Sequence, residues 1–220
     1  MSIIRTSIKK SPNLGIYLKP VGKYLLAPPT IKKSLERDLC STLGLEIFKA
    51  QVYESEFLGV FLAGNNNALL VPGISSMREI SELEKMDMRI EVLDSKITAL
   101  GNAILANDYG ALVHPKFTDE DVEFIKKALE VPVIRGKIGG IPVVGSLSVV
   151  TNKGGLVSPA ASEEELRGMR KLFEVDIYTG TVNDGVKFVK LGLVACDHGV
   201  AVGSLTTPLE LDVIMEAFKV

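Results

Sequence analysis

Cys196, Asp197 and His198 stand consecutively, and they carry the three side-chain types that a thiol enzyme uses: a nucleophile, a carboxylate and an imidazole. Their adjacency argues against convergence. Neighbouring residues of a strand point to opposite faces, and Asp197-His198-Gly199 has the composition of a tight turn. A structural role is expected for all three. His114 precedes Pro115, and the only other histidine is His198. Cys40 and Cys196 are scattered, so no metal-ligand spacing arises and His114 is expected to pack or hydrogen-bond at a strand end. Gly136-Lys137-Ile138-Gly139-Gly140 and Gly154-Gly155 match neither a phosphate loop nor a dinucleotide fingerprint. Both are expected as turns, and Asn65-Asn66-Asn67 as a hairpin tip. The acidic runs Asp119-Glu120-Asp121 and Glu163-Glu164-Glu165 fit first helical turns, where they complement the helix dipole. No catalytic residue, metal or cofactor is expected.

The elements that must position these residues come from a repeat. Five segments each open on a glycine, carry two apolar stretches around a polar turn, and end near a proline. They run from Gly15 to Pro28, Gly59 to Pro72, Gly101 to Pro115, Gly145 to Pro159 and Gly192 to Pro208. The opening glycines are 44, 42, 44 and 47 residues apart, a constant step that marks a repeat architecture. Each segment reads as a β-hairpin, with Asn, Asp and Gly at the turn because they tolerate positive φ. A helix follows each hairpin. Four helices carry a capping pair: Ser76 with Glu79, Thr118 with Asp121, Ser162 with Glu165, and Thr207 with Glu210. The first has only Thr30 with Lys33, an imperfect cap. A short apolar strand then leads to the next hairpin. The expected units are 1–44, 45–89, 90–130, 131–174 and 175–220, in one domain. Such a unit cannot bury its own apolar face, and stacked neighbours bury it. Neither end carries a polar capping unit, so a closed ring of five is favoured over an open solenoid.

Composition bounds the function. The chain has 220 residues, 46% of them hydrophobic and 24% charged. No apolar run approaches the ~20 residues of a bilayer span, and the N-terminus has no signal-peptide core. No membrane association is expected, and with only two cysteines the expected location is the reducing cytoplasm. A net charge of −2 argues against wrapping nucleic acid, so no DNA partner is expected, and near RNA the main contact should be a protein.

Several segments carry a family resemblance: Ala99-Leu100-Gly101-Asn102, Asn107-Asp108-Tyr109, Ala111-Leu112-Val113-His114-Pro115, Gly154-Gly155-Leu156-Val157, Gly180-Thr181-Val182-Asn183 and Thr206-Thr207. Over essentially its whole length the chain resembles the translation initiation factor 6 family, in its archaeal form. The resemblance implies an α/β fold, the pentein five-bladed β/α propeller. It implies a monomeric factor that binds the intersubunit face of the large ribosomal subunit. The main contact implied is a universal ribosomal protein near the sarcin–ricin loop, with minor rRNA contact. There the factor sterically prevents association with the small subunit. The implied contacts are Gly101 and Asn102 and, by pseudo-symmetry, Val60, Ser146 and Leu147. The family commonly has a basic residue where Val60 stands and an aromatic where Leu147 stands, so this rim is more apolar. The pentein fold also hosts enzymes that act on guanidino compounds through a cysteine, which makes an enzyme the first alternative reading. A ring-shaped interaction scaffold is the second.

Overall fold

The opening glycines of the repeat do not start strands. In the computed structural model, which describes residues 2–220, each hairpin is preceded by a single helical turn. Met1, the expected start of the first unit, lies outside the described residues. The chain runs β1 (Ile3–Thr6), α1 (Leu14–Tyr17), β2 (Lys19–Val21), β3 (Tyr24–Ala27), α2 (Lys33–Leu43). The second unit is β4 (Glu46–Lys49), α3 (Leu58–Phe61), β5 (Ala63–Gly64), β6 (Ala68–Pro72), α4 (Met77–Leu83). The third is β7 (Arg89–Leu93), α5 (Leu100–Ala103), β8 (Ile104–Ala106), β9 (Ala111–Val113), α6 (Asp119–Leu129). The fourth is β10 (Val133–Arg135), α7 (Val144–Leu147), β11 (Ser148–Val150), β12 (Gly155–Val157), α8 (Glu163–Phe173). The fifth is β13 (Ile177–Thr179), α9 (Val189–Gly192), β14 (Leu193–Cys196), β15 (Gly199–Gly203), α10 (Pro208–Phe218).

Each unit lends its first strand to the sheet before it. The hairpin β2–β3 is antiparallel, and β4 adds in parallel to β3, pairing Leu25 with Ile47. The same order recurs in all five sheets. The helix between the two parallel strands supplies the crossover they require. The fifth sheet is completed from the other end of the chain: β1 pairs in parallel with β15, Ile4 opposite Ala201. This pairing closes the ring. Consecutive one-turn helices touch one another, and α9 touches α1 in turn.

Burial follows the same sharing. One apolar cluster joins Val21, Tyr24 and Leu26 of the first hairpin to Leu58, Leu69 and Leu83 of the second unit. Another joins Val194 and Ala201 of the fifth unit to Leu14, Leu25, Leu39 and Leu43 of the first. Each unit's apolar face is thus covered by its neighbour, as the repeat implied. Amides reinforce the stacking. The buried Asn65 donates to the carbonyls of Asn107, 3.1 Å, and Leu129, 2.9 Å, in the next unit. Asn107 does the same to Thr151, 3.1 Å, and Phe173, 2.9 Å.

All four expected capping boxes form, with both reciprocal hydrogen bonds present. The first long helix differs from expectation. It starts after Lys32 without a side-chain cap, and the Thr30 hydroxyl donates instead to Glu56, 2.7 Å. Gly139 and Gly140 occupy the positive-φ centre of a tight turn, at φ 56° and 78°. The bridge between Ile138 and Ile141 closes that turn, which accounts for the glycines without a phosphate.

Candidate functional site

The five one-turn helices stand side by side around the axis, and each position along the turn has its own environment. The second residue packs against the preceding helix. A Cβ on Gly59 would lie 1.9 Å from the Gly15 carbonyl oxygen, so no side chain fits. At Gly15, Gly101 and Gly145 the same Cβ would lie 1.7, 2.1 and 2.3 Å from a carbonyl oxygen of the helix before. The third residue, by contrast, stays partly exposed. Its backbone amide donates back in the same way in the second, third and fourth units: Val60 to Phe57, 2.9 Å, Asn102 to Ala99, 3.0 Å, and Ser146 to Val143, 2.9 Å. Ile16 and Leu191 hold the same position in the first and fifth units.

The structure therefore brings Val60, Asn102 and Ser146 onto one rim. Gly101 is buried behind Asn102, where its part is to allow the close helix approach. Leu147 is corrected: it is the fourth residue of its turn, 1% exposed, in the cluster of Val144, Leu166 and Phe173. Its side chain is part of the core and is not available to a partner. The corresponding residues of the first two units are Tyr17 and Phe61, which remain partly exposed. Tyr17 meets Phe57 edge-on at 5.6 Å between ring centres, and Phe61 meets Tyr53 at 6.2 Å. Sequence reasoning passed over these aromatics because they flank the repeat's glycines instead of matching the family segments. Aligning the four-residue turns position by position would have found them.

The fifth unit corrects a second expectation. Gly192 is the fourth residue of α9, and the glycine position of the ring is held by Lys190. The true step from Gly145 is 45 residues. The Lys190 side chain crosses the axis and its ammonium donates to the carbonyls of Gly59 and Gly101, each at 2.5 Å. Burial, followed by the nearby Lys19 charge, pushes the Lys190 pKa well below its ordinary value. Lys19 also faces the axial cavity, and burial lowers its pKa to about 8.

At the opposite end of the cavity the hairpin tips form a belt. Asp108 accepts from the Asn66 amide nitrogen at 2.9 Å and from the Asn152 side chain at 2.6 Å. Asp197 accepts from the Asn152 backbone at 2.9 Å and from its side chain at 3.2 Å. Asp197 is thereby a belt residue. Cys196, beside it, donates its thiol to the Leu43 carbonyl, 3.1 Å, the place taken by Asn65 and Asn107 in other units. Burial raises the Cys196 pKa, and the amides of His198 and Gly199 only partly offset it. A thiol so held is not an activated nucleophile. His198 is exposed at the tip. His114 accepts from the Lys116 amide, 3.0 Å, at the end of its strand, and burial and then Lys116 and Lys137 lower its pKa.

No helix among the described residues is long and apolar enough to cross a membrane. The family model for the eIF-6 family matches residues 3–217. The chain is 43% identical over 220 residues to translation initiation factor 6 of Saccharolobus solfataricus, an alignment that covers 99% of each chain. It is 42% identical over 224 residues to translation initiation factor 6 of Thermococcus onnurineus, covering 99% of this chain and 98% of the relative. Among solved structures it is similar to DDAH from Pseudomonas aeruginosa, a cysteine-to-serine mutant complexed with citrulline. The TM-score is 0.50 at 10% identity, covering 81% of this chain and 71% of that one. That likeness is one of fold, and the fold is the five-unit β/α pentein propeller. The family model spans nearly the whole chain, relatives of 42–43% identity match it end to end, and the chain belongs to the eIF-6 family.

Proposed function

We propose that this protein is a translation initiation factor that binds the large ribosomal subunit at its intersubunit face and keeps the small subunit from joining. Family membership carries this reading: the relatives that match over nearly their whole length are named translation initiation factor 6. In this reading the docking face is the rim that bears Ile16, Val60, Asn102, Ser146 and Leu191. Its partner is a ribosomal protein near the sarcin–ricin loop, with minor contact to rRNA. The aromatic group of Tyr17, Tyr53, Phe57 and Phe61 extends the rim, and aromatic residues are enriched in interface cores. A standard interface of roughly 1,200–2,000 Å² suffices, because blocking acts through excluded volume. Residence time then sets potency. The protein works as a cytoplasmic monomer and needs no cofactor. The enzyme reading is disfavoured by the un-activated Cys196 thiol and by the separate roles of its neighbours.

Asn102→Arg tests the rim. The variant is expected to bind purified large subunits at least ten-fold more weakly on sucrose-gradient cosedimentation, with an unchanged melting temperature. Binding equal to that of the unmodified protein removes Asn102 from the interface.

A further inference from the structure

The ring of one-turn helices is built from glycine in four units and from lysine in the fifth, and a second lysine points into the same space. Lys19 and Lys190 both line an axial cavity of about 200 Å³. That is more than ten times the ~10–15 Å³ that one water needs. Lys19 opens strand β2. The matching strand positions in the other units are Ala63, Leu105, Val149 and Val194, all apolar. Two ammonium groups have therefore been set into one end of the cavity, one of them at a strand position that the other units keep apolar.

Among the described residues these charges have no partner of opposite sign. Lys190 spends two of its three donors on the Gly59 and Gly101 carbonyls and keeps one. Burial lowers the pKa of Lys19, and burial followed by the Lys19 charge lowers that of Lys190. Asp108 and Asp197 lie at the far end of the cavity, tied to the amides of Asn66 and Asn152. Two like charges in one poorly solvated space raise each other's cost, and a bound anion removes that cost for both. The belt at the far end also has one gap. Its tip positions are Asn66, Asp108, Asn152 and Asp197, but in the first unit the place is held by Gly22, with φ +53° and no side chain.

We propose that the axial cavity is a binding site for a small oxyanion, a phosphate or a compact carboxylate, held between the ammonium groups of Lys19 and Lys190 and admitted past Gly22. Lys19 supplies three free donors and Lys190 one, enough to surround one tetrahedral or planar oxyanion. The site is independent of the docking rim, and its test involves no ribosome.

Isothermal titration of the full chain, dialysed free of phosphate, with sodium phosphate and separately with sodium malonate decides the matter, with sodium chloride holding ionic strength constant. Saturable one-to-one uptake of at least one oxyanion is expected, with a Kd tighter than roughly 1 mM. The anion that binds more tightly identifies the source, phosphate or carboxylate. Lys19→Met and Lys19→Gln are both expected to bind at least ten-fold more weakly. Their melting temperatures without anion should equal or exceed that of the unmodified chain, since other units hold apolar residues there. Two results overturn the proposal: no saturable binding of either anion, or undiminished binding in both variants, which marks an adventitious ion only.

Discussion

Glu210 ties together three segments of the fifth unit. Its carboxylate accepts from the Thr181 hydroxyl at 2.7 Å and from the amides of Thr207, Asp184 and Gly185 at 2.8, 3.1 and 2.9 Å. Burial alone would raise its pKa, but these hydrogen bonds outweigh burial and hold it at about 2 against an ordinary 4.5. A depressed carboxylate contributes stability that is complete above the unfolded value and is lost as pH falls through the folded one. The window is therefore pH 4.5 down to about 2. Glu210→Gln is expected to lose up to about 3 kcal/mol in urea unfolding at pH 7, with the gap narrowing below pH 4.5. A gap that does not change with pH contradicts this assignment. Cys196 gives the opposite kind of expectation. Its thiol serves a carbonyl, so Cys196→Ala should cost about 1 kcal/mol and leave large-subunit binding intact. Loss of binding without loss of fold would return Cys196 to the functional residues. That Asp197 and His198 form a turn was legible in advance, because turn composition is local; the belt role of Asp197 and the carbonyl partner of Cys196 were not. The axial Lys190 was not: Gly192 lies two residues on and offered a false match, and only packing around the axis tells them apart.

Among the elements, the one-turn helices are the least legible from sequence and the most consequential. Four residues that lead directly into a strand are too few to show a periodicity of their own, so they read as part of the hairpin. The long helices were legible because their caps are written in adjacent residues, and α2, which lacks one, was also the helix with the poorest sequence signal. Tertiary crowding explains the turn glycines, and one substitution separates crowding from propensity. Gly59→Ala places a methyl 1.9 Å from the Gly15 carbonyl oxygen, a backbone atom that cannot yield. It is expected to cost more than about 3 kcal/mol. Gly168, in the exposed middle of α8, meets nothing within 4 Å. Gly168→Ala should stabilise by about 0.5–1 kcal/mol. Thermal unfolding of the two variants gives the comparison, and equal effects of the same sign would contradict the ring packing described above.

At the scale of the whole molecule, closure depends on two segments at opposite ends of the chain. β1 and β15 pair across nearly the full sequence, and the helices α9 and α1 meet at the same seam. The count of five units was legible from the spacing of glycines. The strand exchange between neighbouring sheets was not, because sequence order does not show that each leading strand pairs backward. Of the rim, Asn102, Val60 and Ser146 share one position. Leu147 fell from the set because its turn places the fourth residue inward. A ring whose Cys196 thiol serves a backbone carbonyl and whose Asp197 serves the belt acts, in this account, by occupying space on the ribosome. A subunit-joining assay measures that action most directly. Purified large and small subunits are mixed with increasing amounts of the protein, and joined ribosomes are resolved on sucrose gradients. The expected result is a fall in joined ribosomes that is complete near one protein per large subunit, with the protein sedimenting on the large subunit. Unchanged joining at saturating protein would contradict the account.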